Sequence, residues 1–205
     1  DFSLVRPYFK VIGFTMLLPI AFAAINRSIL TGVSFAMCFI AMTTGYTFSV
    51  TEKNSMDRLY GILPVRKSEL VVGRYLFVVA LGVLALVVSL ITQPFVLRAL
   101  GETIELYDII SAAIGGLFLF ALYTVFQIPG YYKFGSIKGR VFMYIPVAGF
   151  LVTLFLFPKL PADHPVINAI ASSPALFIAF AFVLVVIMYA VSIGFSVQIL
   201  KNKEM

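Results

Sequence analysis

The sequence predicts an all-α integral membrane protein with six transmembrane helices, and three observations carry that expectation. Of its 205 residues, 61% are hydrophobic and only 12% charged, with a mean hydropathy of +1.06. No soluble core of this size hides so much apolar surface, so lipid must be the solvent. The charged residues are also clustered, leaving long runs without Asp, Glu, Lys or Arg; a helix needs about 20 residues to cross roughly 30 Å of hydrocarbon. Finally, under a six-span reading twelve basic residues fall on one side and three on the other, the kind of asymmetry that sets the orientation of a multi-pass protein.

The elements follow in order. Phe2, Leu4, Val5, Tyr8 and Phe9, interspersed with Arg6 and Lys10, predict an interfacial stretch leading into the membrane. Nothing at this end resembles a signal peptide, and a few cytoplasmic residues are expected to precede Asp1. The first span, Val11 to Ile25, is short, and Lys10 is expected to snorkel to the interface. Arg27 and Glu52 bracket the second span, Arg74 and Arg98 the third, Asp108 and Lys133 the fourth, Arg140 and Lys159 the fifth. The charge-free run after Asp163 is too long for one span. Ser173 followed by Pro174 reads as an N-cap and first-turn proline, so a sixth helix is expected from about Pro174 to Leu200. Residues of about 159–173 are left as a re-entrant or interfacial segment on the outer side. The whole chain, 1–205, is thus expected to be a single transmembrane domain.

The side rich in basic residues carries Arg6, Lys10, Lys53, Arg58, Arg66, Lys67, Arg74, Lys133, Lys138, Arg140, Lys201 and Lys203; the other side carries Arg27, Arg98 and Lys159. Both termini are therefore expected in the cytoplasm. The net charge of +6 follows from this topology and from anionic headgroups, and no nucleic acid is expected as a partner, because no basic cluster stands apart from a span end.

Between spans two and three lies a charged island. Met56, Leu59, Tyr60 and Leu63 recur on one helical stripe while Glu52, Asp57 and Arg58 lie off it, and Pro64 ends the pattern. This predicts a short cytoplasmic amphipathic helix over about 52–63. A helix resting on an anionic leaflet gains from Lys and Arg and loses from Asp and Glu. Mixed charge beside an apolar stripe favours a groove on a protein partner, with a passive interfacial helix as the alternative.

Catalytic patterns are missing from the sequence. It contains no G-x-x-x-x-G-K-[ST] loop for nucleotide phosphates. His164 has only Asp163 beside it, short of a zinc ligand set, and neither a serine nor Cys38 has a recognisable base. Cys38 reads as a small hydrophobe inside span two. The central turns of the spans hold no ionisable residue, whereas ion-coupled carriers usually place one there. Thr43, Thr44, Ser89, Thr92, Gln93, Thr124, Gln127, Thr153, Ser192 and Ser196 are expected to serve helix packing and back-bonding. Pro19, Pro94, Pro129 and Pro146 are each positioned to kink or end a span.

Two loop patterns carry a family resemblance. Glu52-Lys53-Asn54, Asp57-Arg58-Leu59, Leu63-Pro64-Val65, Arg66-Lys67-Ser68-Glu69-Leu70-Val71 and Arg74-Tyr75 form the first. The second is Pro129 followed by YYKFGSIKGR from Tyr131 to Arg140. With the six-span pattern, the chain resembles the membrane subunits of ABC-2-type ATP-binding-cassette transporters. It departs from them at Thr51, where many relatives carry a further acid.

The resemblance implies a permease that dimerises with a second permease copy, identical or not, and binds one cytosolic ABC ATPase subunit per copy. ATP and Mg would be held by that ATPase, with no cofactor on this chain and no enzymatic activity of its own. Glu52, Lys53, Asn54, Asp57 and Arg58 would supply polar contacts to the ATPase, and Met56, Leu59, Tyr60 and Leu63 would fill its groove. In the second inner loop, about 130–140, Tyr132, Lys133, Lys138 and Arg140 would lie at the headgroup level or flank the same interface, as would Arg66 and Lys67. Compact permeases of this kind resemble those exporting amphipathic peptides, including phenol-soluble modulins and antimicrobial peptides, from bacterial cells. Uncharged spans, with 21 Phe and 10 Tyr in the chain, suit such a cargo. The alternatives are a non-transporting peptide-immunity or assembly protein and a partner-independent channel or carrier.

Overall fold

A short apolar helix, α1 (Leu17–Asn26), opens the computed structural model, which describes residues 17–54, 56, 66–148 and 174–202. It is followed by α2 (Ile29–Lys53), α3 (Lys67–Ala99), α4 (Leu106–Lys138), a 3-10 segment (Gly139–Met143) and α5 (Pro174–Asn202), so the regular elements among the described residues are all helical. Four of the helices are long and apolar enough to cross a membrane, α4 counting together with its continuation to Ala148. The chain is a multi-pass membrane protein.

Local chemistry sets the helix boundaries. Arg27 takes a left-handed conformation with φ 49° between α1 and α2. Ser28 then caps α2, its hydroxyl accepting from the Thr31 amide at 3.5 Å. At the start of α3 the Glu69 carboxylate accepts from the Arg66 amide at 3.4 Å, and at the start of α4 Asp108 accepts from the Glu105 amide at 3.0 Å. Both acids also face the positive end of a helix dipole. Lys53, Arg98 and Lys138 stand in the last turns of α2, α3 and α4, where cations are favoured.

Packing centres on α2, which lies against both α3 and α4. Val33, Met37 and Ile40 of α2 join Val78 and Phe120 in one buried cluster. Hydroxyls in the α2 seam bond back along their own helix, Thr43 to Ile40 O and Thr44 to Ala41 O, both at 2.7 Å. This is the structural role expected of Thr43 and Thr44. Outward faces stay apolar, as with Leu76, Leu84 and Phe95 on α3 and Phe182 and Phe195 on α5, which suits lipid contact.

Two expectations change here. The amphipathic helix was to begin at Glu52, yet Glu52 and Lys53 complete the last turn of α2 and Asn54 is its C-cap, so these three residues belong to the end of span two. Met56 is helical and half-buried, whereas Asp57, Arg58, Leu59, Tyr60 and Leu63 lie outside the described residues. So do the opening segment, most of the fifth span and the outer segment of about 159–173.

The second correction concerns the inner loop of about 130–140, which is helical: α4 runs through Pro129 to Lys138, with Tyr132, Lys133 and Lys138 on the helix and Arg140 on the 3-10 segment. Proline lacks an N–H and leaves the carbonyl four residues earlier without its helical donor. That carbonyl is Val125 O, and Ser192 Oγ of α5 donates to it at 2.7 Å. A neighbouring helix thus satisfies what Pro129 vacates, the condition under which proline is tolerated inside a span.

The same serine begins a relay. Ser192 gives its proton to Val125 and therefore accepts from Tyr75 Oη at 2.6 Å, while Ser196 Oγ, 3.0 Å away, donates to Tyr75. Thr124 and Tyr189 pair their hydroxyls at 2.7 Å nearby. Buried hydroxyls thereby hold α5 to α3 and α4 with their polarity matched.

Candidate functional site

The last two turns of α2 present two stripes to two different partners. Thr47 and Thr51, four residues apart, face α3; Phe48 and Glu52, one position further on, face α4. This follows from helical periodicity, which stacks residues i and i+4 on one face.

On the α3 side, the guanidinium of Arg74 reaches back to α2. Its Nη2 donates to Thr51 Oγ1 at 3.2 Å and its Nη1 to Thr47 Oγ1 at 3.5 Å, and its central carbon lies 4.6 Å from the Phe48 ring centroid. Arg74 is only 6% exposed, a burial that arginine tolerates only when held by partners. Both threonine hydroxyls give their own protons to α2 carbonyls, Thr47 to Thr44 O at 2.6 Å and Thr51 to Thr47 O at 2.7 Å. Their lone pairs are thus turned toward the cation. Thr51, the position at which the chain departs from the family pattern, is a neutral ligand for this arginine.

On the α4 side, Phe48 packs against Tyr131 at a centroid distance of 4.9 Å and edge-on against Tyr132 at 5.2 Å. One turn later the Glu52 carboxylate accepts from the Ser136 amide at 2.8 Å. That amide is available because α4 breaks at Gly135, whose φ of 79° and ψ of 178° interrupt the helical ladder. Such a conformation is essentially restricted to glycine. A Cβ at Gly135 would also stand 3.2 Å from Glu52 Oε1, so the break and the carboxylate fit each other.

The cluster therefore joins the end of α2, the start of α3 and the break in α4. Its described residues include no nucleophile–base pair. Asn54 ends α2 beside the Glu52–Ser136 contact, and Arg66 opens α3 at the Glu69 cap. Among the sequence-predicted residues, Glu52 and Tyr132 are brought together here, whereas Lys133 is exposed and lies over the Phe134 ring. Lys138 and Arg140 are exposed beyond the break, and Lys53 and Asn54 are exposed at the α2 terminus.

The family model described as "ABC-2 family transporter protein" matches residues 1–201. The chain is a member of the ABC-2 transporter family. Comparison with curated proteins and with solved structures gave no match. As an ABC-2 protein it is a membrane subunit of an ATP-binding-cassette transporter, a class that works in association with an ABC ATPase.

Sequence reasoning passed over Arg74, Thr47 and Phe48 in this ABC-2 permease. Arg74 was read as the boundary of span three, but α3 begins at Lys67. Arg74 thus stands two turns inside the helix, about 10 Å along it at 1.5 Å per residue. A basic residue that far beyond the Arg66-Lys67 pair was the signal for a buried, liganded side chain.

Proposed function

We propose that this permease exports amphipathic or hydrophobic peptides from a bacterial cell, powered by a separate cytosolic ATPase that docks at the Glu52 end. In this reading the chain spans the membrane six times with both termini in the cytoplasm, and it pairs with a second permease copy. The segment of about 52–63 receives the movement of the ATPase and passes it to spans two and three. One observation carries the proposal: the α2 terminus is tied to α3 through Arg74 and to α4 through Glu52, so a push on the intervening segment is delivered to three helices together. The uncharged central turns of the spans suit an apolar or amphipathic cargo.

The arrangement separates two roles that the sequence reading had merged. Glu52 is engaged by the Ser136 amide inside the chain, and in this reading Asp57 supplies the acidic contact to the ATPase. The test is a mild-detergent pull-down of the tagged protein from its native membrane. Asp57→Lys is expected to lose a co-purifying Walker-motif ATPase, while Glu52→Gln, which keeps an acceptor oxygen for Ser136, is expected to retain it. Undiminished ATPase recovery with Asp57→Lys would remove the docking assignment.

A further inference from the structure

A groove of about 510 Å³ runs between α4 and α5, lined by Phe126, Phe134, Phe142, Val191 and Phe195. It continues into a second hollow of about 440 Å³ whose walls include Tyr132, Lys133, Gln198 and Asn202. Lys133, Phe195 and Ile199 line both, so the two are one trough, apolar along its length and polar at one end. Its volume falls in the roughly 300–1,000 Å³ range of ligand sites.

The polar end is cationic and rich in donors. Lys133 is exposed, its ammonium stands 5.3 Å from the Phe134 ring centroid, and no carboxylate among the described residues lies within ion-pairing distance of it. Gln198 and Asn202, four residues apart in the last turns of α5, share one face beside it. In the six-span topology of the proposed function, on which this placement rests, Lys133 belongs to the side that carries twelve of the fifteen basic residues, the side facing the anionic cytoplasmic leaflet.

We propose that this trough binds an anionic phospholipid of the inner leaflet, with the phosphate at Lys133, Gln198 and Asn202 and an acyl chain along the phenylalanine-lined groove. Charge complementarity selects this occupant: among the described residues the only formal charge on the wall is positive, and in the proposed topology it sits where the groove meets the headgroup layer. Phe195 is 59% exposed, so an acyl chain would have lateral access to the groove. Basic pockets between spans on the cytoplasmic side are a recurrent way of holding anionic headgroups.

The chain contains no tryptophan, which makes Phe195→Trp a single fluorescent reporter inside the trough. The full-length variant is reconstituted in vesicles containing phosphatidylglycerol or phosphatidylcholine with brominated acyl chains, and quenching is followed against mole fraction. The anionic lipid is expected to quench at a roughly five-fold lower mole fraction, the ratio equivalent to about 1 kcal/mol per basic residue near such a surface. Adding Lys133→Gln should abolish the preference, whereas Lys133→Arg and Lys138→Gln should preserve it. Native mass spectrometry of the protein without the reporter should show retained phosphatidylglycerol that Lys133→Gln loses. Equal quenching by both lipids, a preference that survives Lys133→Gln, or no quenching because a second copy or a peptide covers the groove would each overturn the proposal. Neither measurement involves the ATPase, so the outcome is independent of the docking assignment.

Discussion

At the Glu52 end of the bundle, a buried arginine, two threonine hydroxyls, an aromatic ring and a carboxylate on a backbone amide join three helices. At the Arg27 end the ties among the described residues are an exposed ion pair, Arg27 to Glu102 at 3.2 Å with side chains 69% and 33% exposed, and the stacked rings of Phe22 and Phe35, 4.4 Å between centroids. Close to that end Gln93 of α3 is fully buried beside Gly32 of α2, and neither its Oε1 nor its Nε2 has a hydrogen-bond partner among the described residues. Gln127, nearer the Glu52 end, donates to Tyr131 Oη at 2.6 Å and lacks a partner only at Oε1. An unsatisfied buried amide raises the energy of the state that contains it. Under the proposed function, the chain is tied more firmly where the ATPase would push than at the far end, where the helices would part more readily.

Breaking the strong end should have the largest effect. Arg74→Ala removes two charge-assisted hydrogen bonds and the contact with Phe48, and it is expected to cost about 3 kcal/mol, since bonds to charged groups contribute roughly 1.5–3 kcal/mol. Arg74→Lys should recover only part of this, because an ammonium cannot reproduce the planar fork. Thermal unfolding of the purified protein in detergent measures both. Full stability in Arg74→Ala would contradict the assignment.

Gly135→Ala comes next. Forcing a Cβ into the glycine-only region is expected to destabilise by about 1–3 kcal/mol and to displace Glu52. The same unfolding assay should show a loss, accompanied by weaker ATPase-stimulated transport in proteoliposomes; normal transport would detach the break in α4 from function.

The opposite sign is expected at the weak end. Gln93→Leu replaces an unsatisfied amide by an apolar group of similar size and should raise stability by about 1 kcal/mol, the lower range of the cost of a buried unpaired polar group, while slowing transport. A fall in stability would mean that the amide finds a partner elsewhere in the working cycle. Smallest of all, Glu102→Ala should change stability by less than about 1 kcal/mol, and added salt should erase the difference, as for any exposed ion pair.

The same contrast explains what could be read from the sequence. Spans two, three, four and six were legible because uncharged runs between clustered charges are dictated by the bilayer itself. The helical course of α4 past Pro129 was not, since it depends on Ser192, 63 positions along the chain, donating to the Val125 carbonyl. Nor was the role of Glu52: its acidity was visible, but the Ser136 amide becomes available only through the backbone of Gly135. Local rules describe a proline as a break and a glycine as a weak point, whereas tertiary partners decide whether the helix continues or stops.

One contact in the middle of the bundle has a mechanical consequence. Helix α3 contains 33 residues, about 50 Å at 1.5 Å per residue, and α4 runs from Leu106 to its break at Gly135, so both are longer than the roughly 30 Å of hydrocarbon. Gly82, near the midpoint of α3, has the Phe120 ring from near the midpoint of α4 pressed against it, so close that a Cβ there would lie 2.5 Å from Phe120 Cζ. The two rods are thus pinned at their centres with arms of nearly equal length. A rotation about this pin would act as a pair of scissors: closing the handles on the Glu52 side would swing the blades on the Arg27 side through a similar arc, and a bulkier residue than glycine at the pin would hold them apart.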